Sequence, residues 1–186
     1  KACSVVVITT DKVYKNREWN YGYRENDELG GHDPYSASKA ACEIAISSWR
    51  ESFVNDKKNN EIKYRIASAR AGNVLGGGDW ADNRIVPDSI KSLISNKKIH
   101  VRNPKSKRPW QHVLEPLNGY LLLGEKLSLQ DSRFYGSFNF GPNPSNNKSV
   151  EQIVEKILNY WEGEWVVDEN QNNSHEAKLL SLQIDK

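Results

Sequence analysis

Residues 4–12 read Ser4-Val5-Val6-Val7-Ile8-Thr9-Thr10-Asp11-Lys12. The run 4–9 is continuous and largely β-branched, the composition of a strand covered on both faces. A polar quartet, Thr9-Thr10-Asp11-Lys12, closes it. Ligands of open α/β sheets collect at the carboxyl ends of strands, so a hydroxyl, a carboxylate and an amine there are well placed for chemistry. An ordinary turn leaving a strand has a similar composition. The next signal lies at Tyr35-Ser36-Ala37-Ser38-Lys39. Tyrosine and lysine four apart at a helix start share one face, and an ammonium near a phenol favours the phenolate, a usable base. Such a pair alone occurs by chance on many exposed helices; a strand-end Thr-Asp-Lys ahead of it is far more specific.

Around these two points the chain alternates strand and helix, which predicts an α/β class. Residues 11–33 are polar, with Gly22, Gly30 and Gly31, and read as a long functional loop. A helix begins near Pro34, and Ala37, Ala41, Ala45, Trp49 and Phe53 form an apolar stripe at i+4, suited to a core or to an interface. Residues 55–60 are a charged, amide-rich turn and 64–69 a second strand. Residues 72–78 form a glycine-dense loop, and short helices are expected over 87–94 and 116–127, with Pro116 in a first turn. A brief strand over 138–140 ends at Gly141-Pro142. Ser149 and Gln152 make a capping box ahead of Val150, Ile153, Val154, Ile157 and Trp161. Residues 169–174 read as loop.

The 186 residues carry 26 basic and 24 acidic side chains, a net charge of +2, so nothing predicts a nucleic-acid or membrane surface. The cluster Lys105-Ser106-Lys107-Arg108 is either a solvated loop or a phosphate contact. Cys3 and Cys42 have neither metal-ligand spacing nor a disulfide framework, which suits a reducing cytoplasm. His32 and His112 have no carboxylate or cysteine spaced to join them, so no metal is assigned. Gly76-Gly77-Gly78 lacks a Walker lysine and reads as a segment shaping a pocket. The chain has no methionine and opens on a buried-type strand, so earlier elements are expected to precede it.

Thr10-Asp11-Lys12 and Tyr35-Ser36-Ala37-Ser38-Lys39 together resemble the extended short-chain dehydrogenases, and among them the nucleotide-sugar 4,6-dehydratases. Those enzymes mostly carry Thr-Asp-Glu where this chain has Thr10-Asp11-Lys12; the branch acting on CDP-glucose looks like Ser/Thr-Asp-Lys. Gly30-Gly31-His32-Asp33-Pro34-Tyr35, Arg70-Ala71-Gly72-Asn73-Val74, Gly76-Gly77-Gly78-Asp79-Trp80 and Arg108-Pro109-Trp110-Gln111-His112-Val113-Leu114-Glu115-Pro116 resemble that branch too. The resemblance implies a doubly wound, Rossmann-type parallel sheet with a smaller substrate lobe, NAD as cofactor, a CDP-glucose substrate and a homodimer formed partly through the Tyr35 helix. It implies deoxysugar and surface-polysaccharide synthesis as the setting. Residues 1–75 would be the C-terminal half of the NAD-binding domain and 76–186 the substrate lobe, with about 112–130 returning to the sheet; the glycine-rich half that grips adenosine would precede Lys1.

Roles carried over by the resemblance are specific. Tyr35 takes the sugar 4-hydroxyl proton, Lys39 holds the cofactor ribose beside it, and Thr10 hydrogen-bonds the same sugar oxygen. Asp11 protonates the departing 6-hydroxyl. Lys12 occupies the position of the C5 base, yet an ammonium is a poor base near neutrality, so it serves either as that base or as an electrostatic stabiliser of the enolate. Asn73, Arg84 and Arg108 are expected at the nucleotide phosphates, since guanidinium forks pair well with phosphate oxygens; surface charge is the alternative for Arg84. Trp110 either stacks near substrate or fills a core. A 4-epimerase, a dehydratase for another nucleotide, a non-catalytic binding remnant and a scaffold remain as rival functions.

Overall fold

The computed structural model describes residues 3–54, 64–168 and 178–184. Strand β1 (Cys3–Ile8) pairs in parallel with β2 (Tyr64–Ala71), and β2 pairs in parallel with β7 (Ser137–Phe140), giving the order β1-β2-β7. Helix α1 (Pro34–Trp49) connects the first two strands and α3 (Leu114–Ser128) precedes the third. Period-2 alternation in β2 explains how both helices dock. Ala67 and Ala69 face α3, packing with Leu123 and Leu127. Ser68 and Arg70 point the other way and bond to Glu43 of α1. Helices on opposite faces of a parallel sheet make this a doubly wound α/β fold.

A second cluster is built from segments on both sides of β7 in sequence. Helix α2 (Ile85–Ile94), strand β4 (Ile99–Val101), helix α4 (Val150–Leu158) and strand β9 (Trp165–Val167) bury Leu93, Ile99, Val101 and Val154 together. Strands β4 and β9 run parallel. Short strand pairs complete the fold. Strand β3 (Val74–Leu75) pairs with β6 (Gln111–His112), and β5 (Lys107–Arg108) pairs with β8 (Lys148–Ser149). Strands of two or three residues carry no periodic signal, so the sequence reading has none at these places.

Helix ends obey local chemistry. Asp33 caps α1 by accepting from the Ser36 N–H at 3.0 Å, with Pro34 in the first turn. The expected capping box at Ser149 and Gln152 is present in both directions. Pro116 sits in the first turn of α3, as expected.

The apolar stripe of α1 differs from a core reading. Ala37, Ala41, Ala45, Trp49 and Phe53 are all exposed, and the buried face is Ser36, Ala40, Glu43 and Ile46. The helix turns its mixed polar face inward because the sheet offers Thr9, Ser68 and Arg70 as partners for Glu43 there. The loop over 11–33 is also ordered beyond expectation. Tyr14 and Tyr23 stack with ring centroids 5.1 Å apart, and Leu180 and Leu182 from the far C-terminal segment close over them. The backbone of Tyr23 bonds to Ser181 and Gln183, and the Glu18 carboxylate accepts from the N–H groups of Lys178 and Leu179. The expected turn at 55–60 and loop at 169–174 lie outside the described residues.

Candidate active site

At the carboxyl end of β1 the chain makes a single 3-10 turn, Asp11–Val13, capped by Thr10. This turn sets Asp11 inward and Lys12 outward. Asp11 is 3 % exposed, and its Oδ1 accepts from the Thr10 hydroxyl at 3.1 Å while its Oδ2 has no hydrogen-bond partner among the described residues. Burial lifts the Asp11 carboxyl to about 6, against opposing pulls from the Thr10 hydrogen bond and from the Lys12 and Arg108 charges. An acid poised near neutrality can give up a proton and regain it.

Tyr35 stands in the first turn of α1, directly across from that turn. The Lys12 ammonium lies 5.9 Å from the centre of its ring and the Lys39 ammonium 6.0 Å. Two cations therefore lie within cation–π range of one ring. Asp33, whose carboxyl is held below the ordinary range by the Ser36 hydroxyl and N–H, anchors the start of the helix beside them.

These groups open on a cavity of about 810 Å³. Six of the residues singled out in the sequence line it: Lys12, Tyr35, Asn73, Arg84, Arg108 and Trp110. Thr10 and Asp11 lie in the turn next to Lys12, and Lys39 one helical turn behind Tyr35, outside the lining itself. Asn73 follows β2, with its carbonyl fixed by the Gln111 N–H at 2.9 Å. The basic cluster divides by strand alternation: Lys105 and Lys107 are exposed and Arg108 is buried toward the cavity. Arg84, at the start of α2, is largely exposed and reaches Asp79 at 3.8 Å, so its charge is only loosely held. Trp110 is half-buried, its indole N–H bonded to the Lys148 carbonyl at 2.9 Å with the ring on the cavity wall. The run Gly76-Gly77-Gly78 does not line the cavity; its neighbours Leu75 and Asp79 do.

His32, Asn83, His100 and Arg102 also line the cavity, a role the sequence reading does not give them. His32 stands in the Gly30–Tyr35 motif, three residues before Tyr35, whereas Asn83, His100 and Arg102 lie in or beside segments too short to carry a periodic signal.

The first 141 residues match the NAD dependent epimerase/dehydratase family. The chain belongs to that family. Within it, the chain is 46% identical over 185 residues to CDP-glucose 4,6-dehydratase of Salmonella typhimurium, covering 98% of this chain and 51% of that protein. Among solved structures it resembles UDP-N-acetylglucosamine 4-epimerase from Methanobrevibacter ruminantium in complex with UDP-N-acetylmuramic acid, with a TM-score of 0.78 at 18% identity, over 97% of this chain and 54% of that one. It also resembles dTDP-glucose 4,6-dehydratase from Bacillus anthracis in complex with NAD, with a TM-score of 0.72 at 19% identity, over 96% of this chain and 52% of that one. The chain thus spans about half the length of such family members. Two enzymes named for different chemistry share this fold, so the fold alone does not choose the reaction.

Proposed function

We propose that the protein containing this chain is a nucleotide-sugar 4,6-dehydratase that converts CDP-glucose to CDP-4-keto-6-deoxyglucose. The observation that carries the reading is the meeting of the Asp11-Lys12 turn with Tyr35 at one cavity mouth. A 4-epimerase needs a proton-handling phenol and its lysine; loss of water across C5 and C6 needs a second acid–base group as well. The 46% identity to the Salmonella enzyme supports the nucleotide.

Tyr35 takes the proton of the sugar 4-hydroxyl, with the ammoniums of Lys12 and Lys39 beside its ring. Thr10 bonds the same oxygen. Once C4 is a ketone its neighbour C5 is acidic, and Lys12 acts at C5 as base or as stabiliser of the developing negative charge. Asp11, partly protonated near neutrality, delivers its proton to the departing 6-hydroxyl, which leaves as water. NAD supplies the hydride acceptor for C4 and the hydride returned to C6, and Tyr35 and Lys39 would hold its ribose. Asn73, Arg84, Arg108 and Trp110 would hold the nucleotide diphosphate, their guanidiniums and amide facing the cavity that a pyrophosphate would enter. Residues 1–75 and about 112–130, joined by β7 (Ser137–Phe140) of the same sheet, form the cofactor-side unit and the remainder of 76–186 the substrate lobe. The protein works as a cytoplasmic homodimer, with the exposed Ala37, Ala41, Ala45, Trp49 and Phe53 stripe in the interface, and its product serves deoxysugar and surface-polysaccharide synthesis.

The test uses the full-length enzyme with NAD and CDP-, dTDP-, UDP- and GDP-glucose, following mass. Loss of one water from CDP-glucose, abolished in Tyr35→Phe, is expected; an epimerised sugar of unchanged mass would overturn the reading. Lys12→Arg separates the two roles of Lys12, because a guanidinium keeps the charge and cannot serve as a base.

A further inference from the structure

The α1 face that carries Tyr35 and Lys39 continues one turn further to Glu43. Its side chain is 1% exposed and pairs with Arg70 of β2, itself 3% exposed, at 2.7 Å. The carboxylate also accepts from the hydroxyls of Thr9, Ser68 and Ser137. Burial pushes the Glu43 carboxyl up, but the hydrogen bonds from Arg70 and Thr9 outweigh it and keep the group ionised. On its other side Arg70 donates to the Tyr14 hydroxyl and to the Glu25 carbonyl, both at 2.9 Å. Tyr14 in turn donates to Asn139 of β7 at 2.7 Å.

These partners sit at telling positions in the chain. Thr9 immediately precedes Thr10, Tyr14 follows Lys12 by two residues, and Glu43 follows Lys39 by one helical turn. One buried ion pair thus grips the strand-end turn from both ends and ties it to the catalytic helix. Energy alone gives little reason to keep it, since a buried pair is often no more stabilising than apolar side chains of similar volume. Its directional bonds, by contrast, fix how far α1 stands along and above the strand ends.

We propose that Glu43 and Arg70 are positioning residues that hold the Tyr35–Lys39 helix in register with the Thr10-Asp11-Lys12 turn. The proposal rests on the catalytic reading of those five residues. It is tested in the full-length enzyme with the apolar double substitution Glu43→Leu with Arg70→Met, measuring kcat, KM for the nucleotide sugar, and Tm. Removing both charges together leaves no unpaired ion, so Tm should stay within about 5 °C of the parent. The relaxed register should lower kcat about 10- to 100-fold with KM changed less than about 2-fold. A double variant with parental kcat overturns the proposal. If that variant does not fold, Glu43→Asp, which keeps the charge but withdraws the carboxylate by one methylene, takes its place with the same kcat-against-KM expectation. A parent enzyme inactive on every nucleotide sugar would instead defeat the dehydratase reading. The positioning claim is then read from crystal structures of parent and variant, where the Tyr35-to-Thr10 hydroxyl separation should differ by about 0.5 Å or more; an unchanged separation overturns it.

Discussion

Replacing Asp11 with asparagine should make the protein more stable and less active. In the folded state the carboxyl is raised from 3.8 to about 6 by burial, while in the unfolded chain it ionises at its ordinary value. The folded protein therefore binds this proton more tightly than the unfolded chain does. Stability rises as pH falls through about 6, and the gain is complete below the unfolded pKa; above 6 the ionised carboxylate is a cost. Each pH unit between the folded and unfolded values is worth ~1.4 kcal/mol, so the cost comes to about 3 kcal/mol at pH about 8. Asparagine keeps an acceptor for the Thr10 hydroxyl and cannot ionise. Its new N–H₂ would lie where Oδ2 has no partner among the described residues, giving back about 1 kcal/mol. The net expectation is about 2 kcal/mol of added stability near pH 8 and roughly half the carboxylate cost already gone near pH 5. Urea unfolding of the full-length parent and Asp11→Asn at both pH values reads this directly. Turnover should fall about 10²- to 10⁴-fold, as for loss of a general acid. A variant less stable than the parent near pH 8, or equally more stable at both pH values, would refute a desolvated carboxyl at this turn.

Two further substitutions probe the frame around the site. A Cβ on Gly31 would overlap the backbone of Ser36 and Ala37 in the first turn of α1, so Gly31→Ala should cost at least about 1–3 kcal/mol and displace Tyr35, read as lowered Tm together with lowered kcat. The α1 stripe leaves Trp49 51% and Phe53 61% exposed, so Trp49→Glu with Phe53→Glu should convert a dimer to monomers in sedimentation velocity without loss of helix content. A species of unchanged mass would remove α1 from the interface.

The parts of this protein whose physics is local can be read without its fold. A β-branched run makes strand β1 whatever surrounds it, Asp33-Pro34 starts α1, and Ser149 with Gln152 starts α4. The four-residue spacing of Tyr35 and Lys39 puts them on one helix face before any packing is known, and strand-end Thr10-Asp11-Lys12 is an unusual enough cluster to mark the site. Which face of α1 turns inward is set by long-range packing instead. Two stripes competed there, and the less apolar one won because the sheet supplies partners for Glu43 that lie up to 94 residues away in sequence. The same distance in the chain hides the contacts of Arg70, Asn139 and Leu180, because their partners belong to no periodic pattern near them. Nor could spacing reveal that Asp11 is buried with an unpartnered oxygen while Lys12, its neighbour, faces the cavity. A one-turn 3-10 geometry makes that division, and with it the difference between two polar residues in a row and an acid raised toward neutrality beside a cation.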